Sequence, residues 1–382
     1  MGNSFKFTLK DIFTIKNLKD CCNNNNPYFH SVFSKEHYRH IKQTIINFLE
    51  CCDYNKNYGI FKCPICDKKA VRPHSCKSRI CPPCGKMYSQ DIAANFANRM
   101  INKPHRHMLF TMPDYIWNFF IGNFKLLAKL SDLLYIEFKA YFKKHNIINF
   151  AFSVFIHTFG RDLKVNPHLH IIITEGGFNK NNTWKKLTCF HWEDFEFPWK
   201  IIITSILENN LPYSKELYAA TNKLRKKESS IIFNVKGETL KNPEKTIKYL
   251  GRYLARAPIA EYKITALDNY SVTFWYNDIK DKQRKICTLP IDVFIKKLIL
   301  QIPPKSFKMV RHYGVYARNI SKKIKQIIKS SFSKYKFKLK RISWQQRIHN
   351  WIGINPLICP KCKVEMVLSA IIYKKKVYTF KT

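Results

Sequence analysis

The chain has 382 residues and carries 67 Lys and Arg against 26 Asp and Glu, a formal net charge of +41. Its hydrophobic and aromatic content (46% and 15%) excludes wholesale disorder, and its length suits one large core plus one or two smaller modules. So large a cationic excess calls for a polyanionic partner such as DNA; the stretch Met1 to Phe13 lacks the apolar run of a signal peptide, and no later stretch is long enough to span a bilayer, so a membrane is not expected and the setting is read as cytoplasmic.

Residues 1–56 read as an irregular start, with a polar loop over Asn23 to Asn26, followed by a helix on which Tyr38, Ile41, Ile45, Ile46 and Leu49 recur at helical spacing. The adjacent pairs Cys21-Cys22 and Cys51-Cys52 lack chelating spacing and read as ordinary small residues. Residues 57–100 form a zinc-binding, DNA-contact module. Cys63-Pro64-Ile65-Cys66 and Cys81-Pro82-Pro83-Cys84 are two chelating turns, each able to present two thiolates to a tetrahedral ion. Cys63, Cys66, Cys81 and Cys84 are the chosen zinc ligands, with His74 and Cys76 as alternates. Lys68, Lys69, Arg72, Lys77, Arg79 and Lys86 surround them, as a DNA-contacting surface requires; a purely structural zinc is the competing reading.

A helix from Asp91 leads into a strand over residues 106–113, and Phe119, Phe124, Leu127, Leu130, Leu134 and Phe138 mark a packed, mostly helical stretch. Two strands follow around a turn at residues 160–167. Phe150 to His157 is rich in aromatic and branched residues, and Asn166 to Thr174 contains His168 and His170. The period of two puts both imidazoles on one strand face, while Leu169, Ile171 and Ile173 face the core. Two imidazoles on a rigid strand can grip a divalent metal and leave coordination positions open for substrate; a strand end with two partly exposed histidines is the plain alternative. In an antiparallel hairpin His157 lies opposite them as a candidate third ligand, but a slip of one residue would turn it away.

Residues 184–227 read as a mixed insertion with helices. Asn242-Pro243-Glu244 then opens a helix running to about Arg256, with Asn as N-cap and Pro in the first turn. Ile247, Leu250 and Leu254 share one face of it; Lys245, Tyr249, Arg252, Tyr253 and Arg256 share the other. A hairpin over residues 270–289 and a helix from Ile291 come next. Lys322 to Arg341 is a basic run interleaved with Phe332, Tyr335 and Phe337, suited to phosphates and stacked bases or to a solvated helix face. Cys359-Pro360-Lys361-Cys362 is half a zinc site with no second pair nearby, and no metal role is assigned to it.

The order of these motifs (cysteine turns, a Phe110-Thr111-Met112-Pro113 strand, Asn166-Pro167-His168-Leu169-His170, Tyr249-Leu250-Gly251-Arg252-Tyr253) resembles the two-tyrosine HUH transposases of the insertion-sequence-ninety-one type. The stretch from Phe294 through Pro303-Pro304-Lys305 to Arg311-His312-Tyr313-Gly314 and the closing Cys359-Pro360-Lys361-Cys362 resemble that family too. The resemblance implies an α+β fold with an HUH-type antiparallel central sheet flanked by helices and an N-terminal zinc-binding module. It implies a catalytic domain over residues 101–265 and a basic C-terminal region over 266–382. It gives His168 and His170, with His157 as the less secure third, the role of ligands to Mg²⁺ or Mn²⁺, and Tyr249 and Tyr253 the role of nucleophiles. Arg252 and Arg256 are then DNA-binding. The implied activity is cleavage and rejoining of single-stranded DNA through 5′-phosphotyrosine, in rolling-circle-like transposition without a nucleotide cofactor. Replication initiators and relaxases share that chemistry, and a non-catalytic zinc protein that binds DNA is the reading from another class.

Overall fold

The computed structural model describes residues 7–15, 31–97, 99–187, 191–226, 239–240, 257–278, 281–320, 322, 324–326, 343, 345–346, 349, 355–373 and 375–380. In chain order these form helices α1 (Leu9–Ile15) and α2 (Lys35–Leu49), strands β1 (Tyr58–Lys62) and β2 (Lys69–Pro73), helix α3 (Pro82–Ala97) and strand β3 (His105–Phe110). A 3-10 helix (Asp114–Phe120) leads to α4 (Phe124–Lys144), then β4 (Ala151–Phe159), β5 (Val165–Thr174), β6 (Gly176–Phe178) and β7 (Trp184–Lys186). Next come α5 (Glu196–Asn210), α6 (Lys215–Arg225), β8 (Thr239–Leu240), β9 (Ile264–Leu267), β10 (Ser271–Asn277) and β11 (Arg284–Pro290). The described order closes with α7 (Ile291–Ile299), β12 (Val310–Gly314), β13 (Val367–Tyr373) and β14 (Lys376–Thr379). The fold is α+β, and every strand pairing among the described residues is antiparallel.

The central sheet has five strands in the order β12-β4-β5-β3-β8. On one face Leu169, Ile171 and Ile173 of β5, Phe152, Val154 and Ile156 of β4 and Met108 and Phe110 of β3 meet α4 and α5 through Leu130, Leu134, Phe138 and Trp199. Truncating any one of these to Ala removes its transfer free energy and leaves a cavity, about 2–5 kcal/mol in all. The opposite face carries the odd residues of β4 and the even residues of β5. There Ala151, Phe155 and Ile172 pack with Phe96 of α3 and with Tyr316. Each side of the sheet is therefore committed, and a one-residue slip in any strand would exchange them.

Two local expectations change. Ile46 is 46% exposed, and Phe48 takes its place on the buried face of α2 with Tyr38, Ile41 and Ile45. The buried face recurs at Tyr38, Ile41, Ile45 and Phe48, and Ile46, turned 100° from Ile45, falls off it. Helix α3 begins at Pro82 rather than near Asp91. Proline lacks an N–H, but the first helical turn has no partner for one, so Pro82-Pro83 opens the helix instead of breaking it.

A second sheet, in the order β14-β13-β1-β2, joins residues from both ends of the chain. A third, β11-β10-β9, packs with α1, α2 and α7 around Phe13, Ile41, Phe274 and Phe294. No helix among the described residues is long and apolar enough to cross a membrane. The helix expected over 242–256, with Tyr249, Arg252, Tyr253 and Arg256, lies outside the described residues, as does nearly all of the basic run 322–341.

Candidate active site

Three histidines converge on the face of the central sheet opposite the α4 and α5 core. In the β4–β5 register, His157 is the direct partner of His168, and Phe155 is the partner of His170. The ring centroids of His157 lie 5.0 Å from His168 and 4.4 Å from His170, and those of His168 and His170 lie 5.0 Å apart. One ring nitrogen from each falls within 4.8 Å of the others. The backbone dictates this arrangement: alternate residues of one strand share a face, and the paired strand supplies a third side chain directly across.

The protonation state suits a cation. Burial holds His168 down at about 4, against the opposing pull of the Asn166 carbonyl. Burial, reinforced by the neighbouring rings of His157, His168 and His107, holds His170 well below its ordinary value. Neutral imidazoles keep a lone pair for coordination, whereas imidazolium ions repel metal. His168 Nδ1–H donates to the Asn166 carbonyl at 2.7 Å, which fixes the tautomer and leaves Nε2 with its lone pair. His107, on β3, stacks on His170 at 5.1 Å and brings its Nε2 to 2.9 Å from His170 Nδ1. Second partners of this kind orient metal-ligating histidines in general. His157, His168 and His170 therefore fit a divalent cation.

The cysteines are arranged differently from the single site expected. Cys63-Cys66 and Cys81-Cys84 do not come together. Cys81 and Cys84 join Cys51 and Cys76, while Cys63 and Cys66 join Cys359 and Cys362. In the first group the Cys51–Cys84 and Cys76–Cys84 sulfurs are 3.6 Å apart and the Cys51–Cys81 sulfurs 3.8 Å. The neighbouring thiols of Cys52, Cys76, Cys81 and Cys84 pull Cys51 far below the ordinary thiol value, while Cys76 and Cys81 are pushed up as donors to it. The neighbouring thiols thus favour a thiolate at Cys51, and a zinc ion would let all four sulfurs ionise. His74 is in neither group, and Cys51, read from sequence as an ordinary small residue, is a full member of the first. Sequence spacing identifies a chelating turn but not its partner, because the partner is chosen by how distant elements pack.

Two family models match. One, described as "Putative transposase", spans residues 151–323 and so includes β4, β5 and their three histidines. The other, "Transposase zinc-binding domain", spans 23–112 and includes all four cysteines of the first group. Along most of its length the chain is thus similar to transposases of the insertion-sequence-ninety-one type. It is 25% identical over 315 residues to the "Transposase for insertion sequence element IS801" of Pseudomonas savastanoi pv. phaseolicola, covering 78% of this chain and 75% of that protein. It is 24% identical over 278 residues to the "Putative transposase y4qJ" of Sinorhizobium fredii, covering 66% of this chain and 68% of the relative. No solved structure matches the chain.

A transposase acts on DNA, in keeping with the charge of +41. The N-terminal region of the chain matches a zinc-binding domain, and of the four cysteines there that could hold the ion, Cys81 precedes α3 and Cys84 lies in its first turn. Sequence reasoning overlooked His107. Its signal was present, since His105 and His107 alternate on one strand as His168 and His170 do, but only the β3–β5 pairing brings it to the site.

Proposed function

We propose that this transposase cleaves and rejoins single-stranded DNA at a divalent metal, Mg²⁺ or Mn²⁺, held by His157, His168 and His170, with Tyr249 and Tyr253 as nucleophiles. The observation that carries the reading is the convergence of three imidazoles, two of which (His168 and His170) are kept neutral by burial and have Nδ1 already engaged. Imidazole nitrogens with phosphate oxygens suit Mn²⁺ better than Mg²⁺. When bound, the metal supplies Lewis-acid polarisation of the scissile phosphate.

The protein's own groups do the rest. A tyrosine hydroxyl, with a pKa near ~10, is a weak nucleophile at neutral pH until the phosphorus is made more electrophilic. Its oxygen forms a bond to phosphorus, the bond from phosphorus to the 3′ oxygen breaks, and the phenolic proton ends on that 3′ oxygen. The product is a 5′-phosphotyrosine and a free 3′-hydroxyl, and the covalent bond conserves the phosphodiester energy, so rejoining needs no nucleotide cofactor. Two tyrosines allow two linked transfers. Arg252 and Arg256 hold the phosphate backbone and offset charge that develops at phosphorus. The described flanks of 241–256 support the reading: β8 pairs with β3 on one side, and Ala257 packs against Gly85 of α3 on the other. A non-catalytic DNA-binding protein would leave the three histidines without a role. The action of such an enzyme on its own element is read as cytoplasmic.

The test is incubation of the protein with labelled single-stranded oligonucleotides carrying the element ends, with Mn²⁺ or with chelator. A covalent adduct that maps to Tyr249 or Tyr253 is expected, lost in the double Phe variant. His168→Ala should reduce cleavage by on the order of 10³-fold or more while DNA binding persists. Full cleavage by chelator-treated enzyme, or an adduct on neither tyrosine, refutes the proposal.

A further inference from the structure

The second cysteine group is assembled by two turns with the same backbone design. In the first, Cys63 N–H donates to the Lys68 carbonyl at 2.9 Å, Asp67 N–H donates to the Cys63 carbonyl at 3.2 Å, and Asp67 has φ of 57°. In the second, Cys359 N–H donates to the Val364 carbonyl at 2.8 Å, Lys363 N–H donates to the Cys359 carbonyl at 2.9 Å, and Lys363 has φ of 58°. The correspondence is position for position: Cys-x-x-Cys, then a residue in the left-handed region, then the carbonyl that closes the turn. Left-handed backbone at non-glycine residues is uncommon, and its recurrence at equivalent places marks a built geometry. A turn of this form aims two thiolates from its concave side. Here two such turns face each other, with Cys66 and Cys359 sulfurs 3.6 Å apart although 293 residues separate them.

We propose that Cys63, Cys66, Cys359 and Cys362 bind a second zinc ion, which clasps the C-terminal strands to the N-terminal sheet. It is independent of the nuclease reading and reaches beyond the matched zinc-binding region: Cys63 and Cys66 lie within residues 23–112, but Cys359 and Cys362 fall far past them.

The surroundings favour a metal. Among the described residues the apolar cluster here consists of Cys63, Cys359 and Met366, with Phe61, Cys66, Ala70, Cys362 and Val364 packed against them. So few side chains cannot hold a four-stranded sheet together by burial, and small cores of this size need a staple. All the direct partners are in place for one. Strand β1 pairs with β13 from Tyr58↔Ile372 to Lys62↔Val367, Ser369 Oγ–H donates to the Ile60 carbonyl at 3.0 Å, and Arg72 Nε–H donates to the Pro356 carbonyl at 2.8 Å. Four thiolates around a divalent cation carry a net charge of −2. Lys62, Lys68, Lys69, Lys361 and Lys363 lie within or beside the two turns, against Asp67, which pairs with Lys62 at 3.0 Å, and Glu365. A disulfide would use two of the sulfurs and give no reason for the paired turns.

The test uses the full-length protein. Two zinc ions per chain in tetrathiolate sites are expected, one for each cysteine group. The cadmium-substituted protein should give two ¹¹³Cd resonances in the range of four-sulfur coordination, which separates these sites from any cadmium on histidine. Cys359→Ser with Cys362→Ser should lose one of the two and one zinc per chain, and the ligand-keeping Cys362→His should retain its metal. A single four-sulfur resonance in the unsubstituted chain overturns the proposal. So does peptide mapping that finds Cys66 and Cys359 joined as a disulfide. Because the unsubstituted protein decides the matter, a variant that fails to fold does not blunt the test.

Discussion

His107 Nε2 lies 2.9 Å from His170 Nδ1 across the β3–β5 pair. One nitrogen must donate, and coordination decides which. If His107 donated, the proton of neutral His170 would sit on Nε2 and block metal binding there. With the proposed metal on His170 Nε2, His170 Nδ1–H would donate to His107 Nε2, and His107 would carry its own proton on Nδ1. His107→Ala should weaken Mn²⁺ binding by about 10–100-fold, and His107→Gln, which keeps an acceptor, should recover part of it. Calorimetric titration with Mn²⁺ reads both; unchanged affinity in the Ala variant would remove His107 from the site.

Acid stability should report one buried and one half-buried histidine of the same sheet, His105 and His312. His105 is held down at about 4 by burial, partly offset by the Lys103 carbonyl, and His312 at about 4 by burial with Arg99 and Arg318 adding to it. Both are neutral when folded and take up protons on unfolding. Stability is thus complete above pH 6.5 and falls as pH drops toward 4, by on the order of 3 kcal/mol per group across the window. His105 Nε2 is 2.6 Å from the Tyr316 hydroxyl, so His105→Gln keeps a polar partner while removing the titration. Urea midpoints between pH 7 and 4.5 should slope less steeply in that variant, and an identical slope would show that His105 plays no part.

Gly314, the last residue of β12, has φ of 55°, and a Cβ there would overlap the Phe150 carbonyl oxygen. Gly314→Ala should cost about 1–3 kcal/mol from backbone strain alone, and more through the collision. Chemical denaturation measures it; a loss below ~0.5 kcal/mol would mean that the chains are not so close at this edge.

Zinc at the first cysteine group should reach the histidines through α3. Cys81 precedes the helix, Cys84 is in its first turn, and Phe96 near its end packs edge-on against Phe155 at 5.5 Å, the strand partner of His170. Apparent zinc energies in small modules are about 10–16 kcal/mol, far above what one helix gains by packing. Cys84→Ser should release zinc and raise amide exchange over residues 82–96, whereas Phe96→Ala should keep zinc and cost about 3–5 kcal/mol. Exchange unchanged by Cys84→Ser would separate the zinc from the helix.

What was legible in the sequence was local. The β4–β5 hairpin joins strands a few residues apart, so alternation sufficed to place His168 and His170 on one face, while the register, open in the sequence, is what sets His157 before them. The hairpin of β10 and β11 and the start of α7 at Ile291 were readable for the same reason. What failed depended on distant pairing. Cys51, Cys359 and Cys362 looked idle because no partner stands near them in sequence, and Cys63-Cys66 was matched to the nearest turn instead of to the one that β13 brings beside β1. His107 was hidden likewise, as β3 reaches β5 only after α4 and β4 have intervened. The tyrosine helix, read from its cap and its two faces, lies outside the described residues.

The sheet that joins β1 and β2 to β13 and β14 sets a timetable for biogenesis. Residues 58–73 leave the ribosome early, yet their edge partner and two of their four sulfurs arrive only with residues 359–373. At ~5–20 residues per second, the early strands wait for tens of seconds with an open edge. Contacts so distant in sequence form late, after more local parts have collapsed. The central sheet, complete once β12 has emerged, can therefore assemble before the terminal sheet closes, and closure of that last seam marks a chain that has been made through to its C-terminal strands.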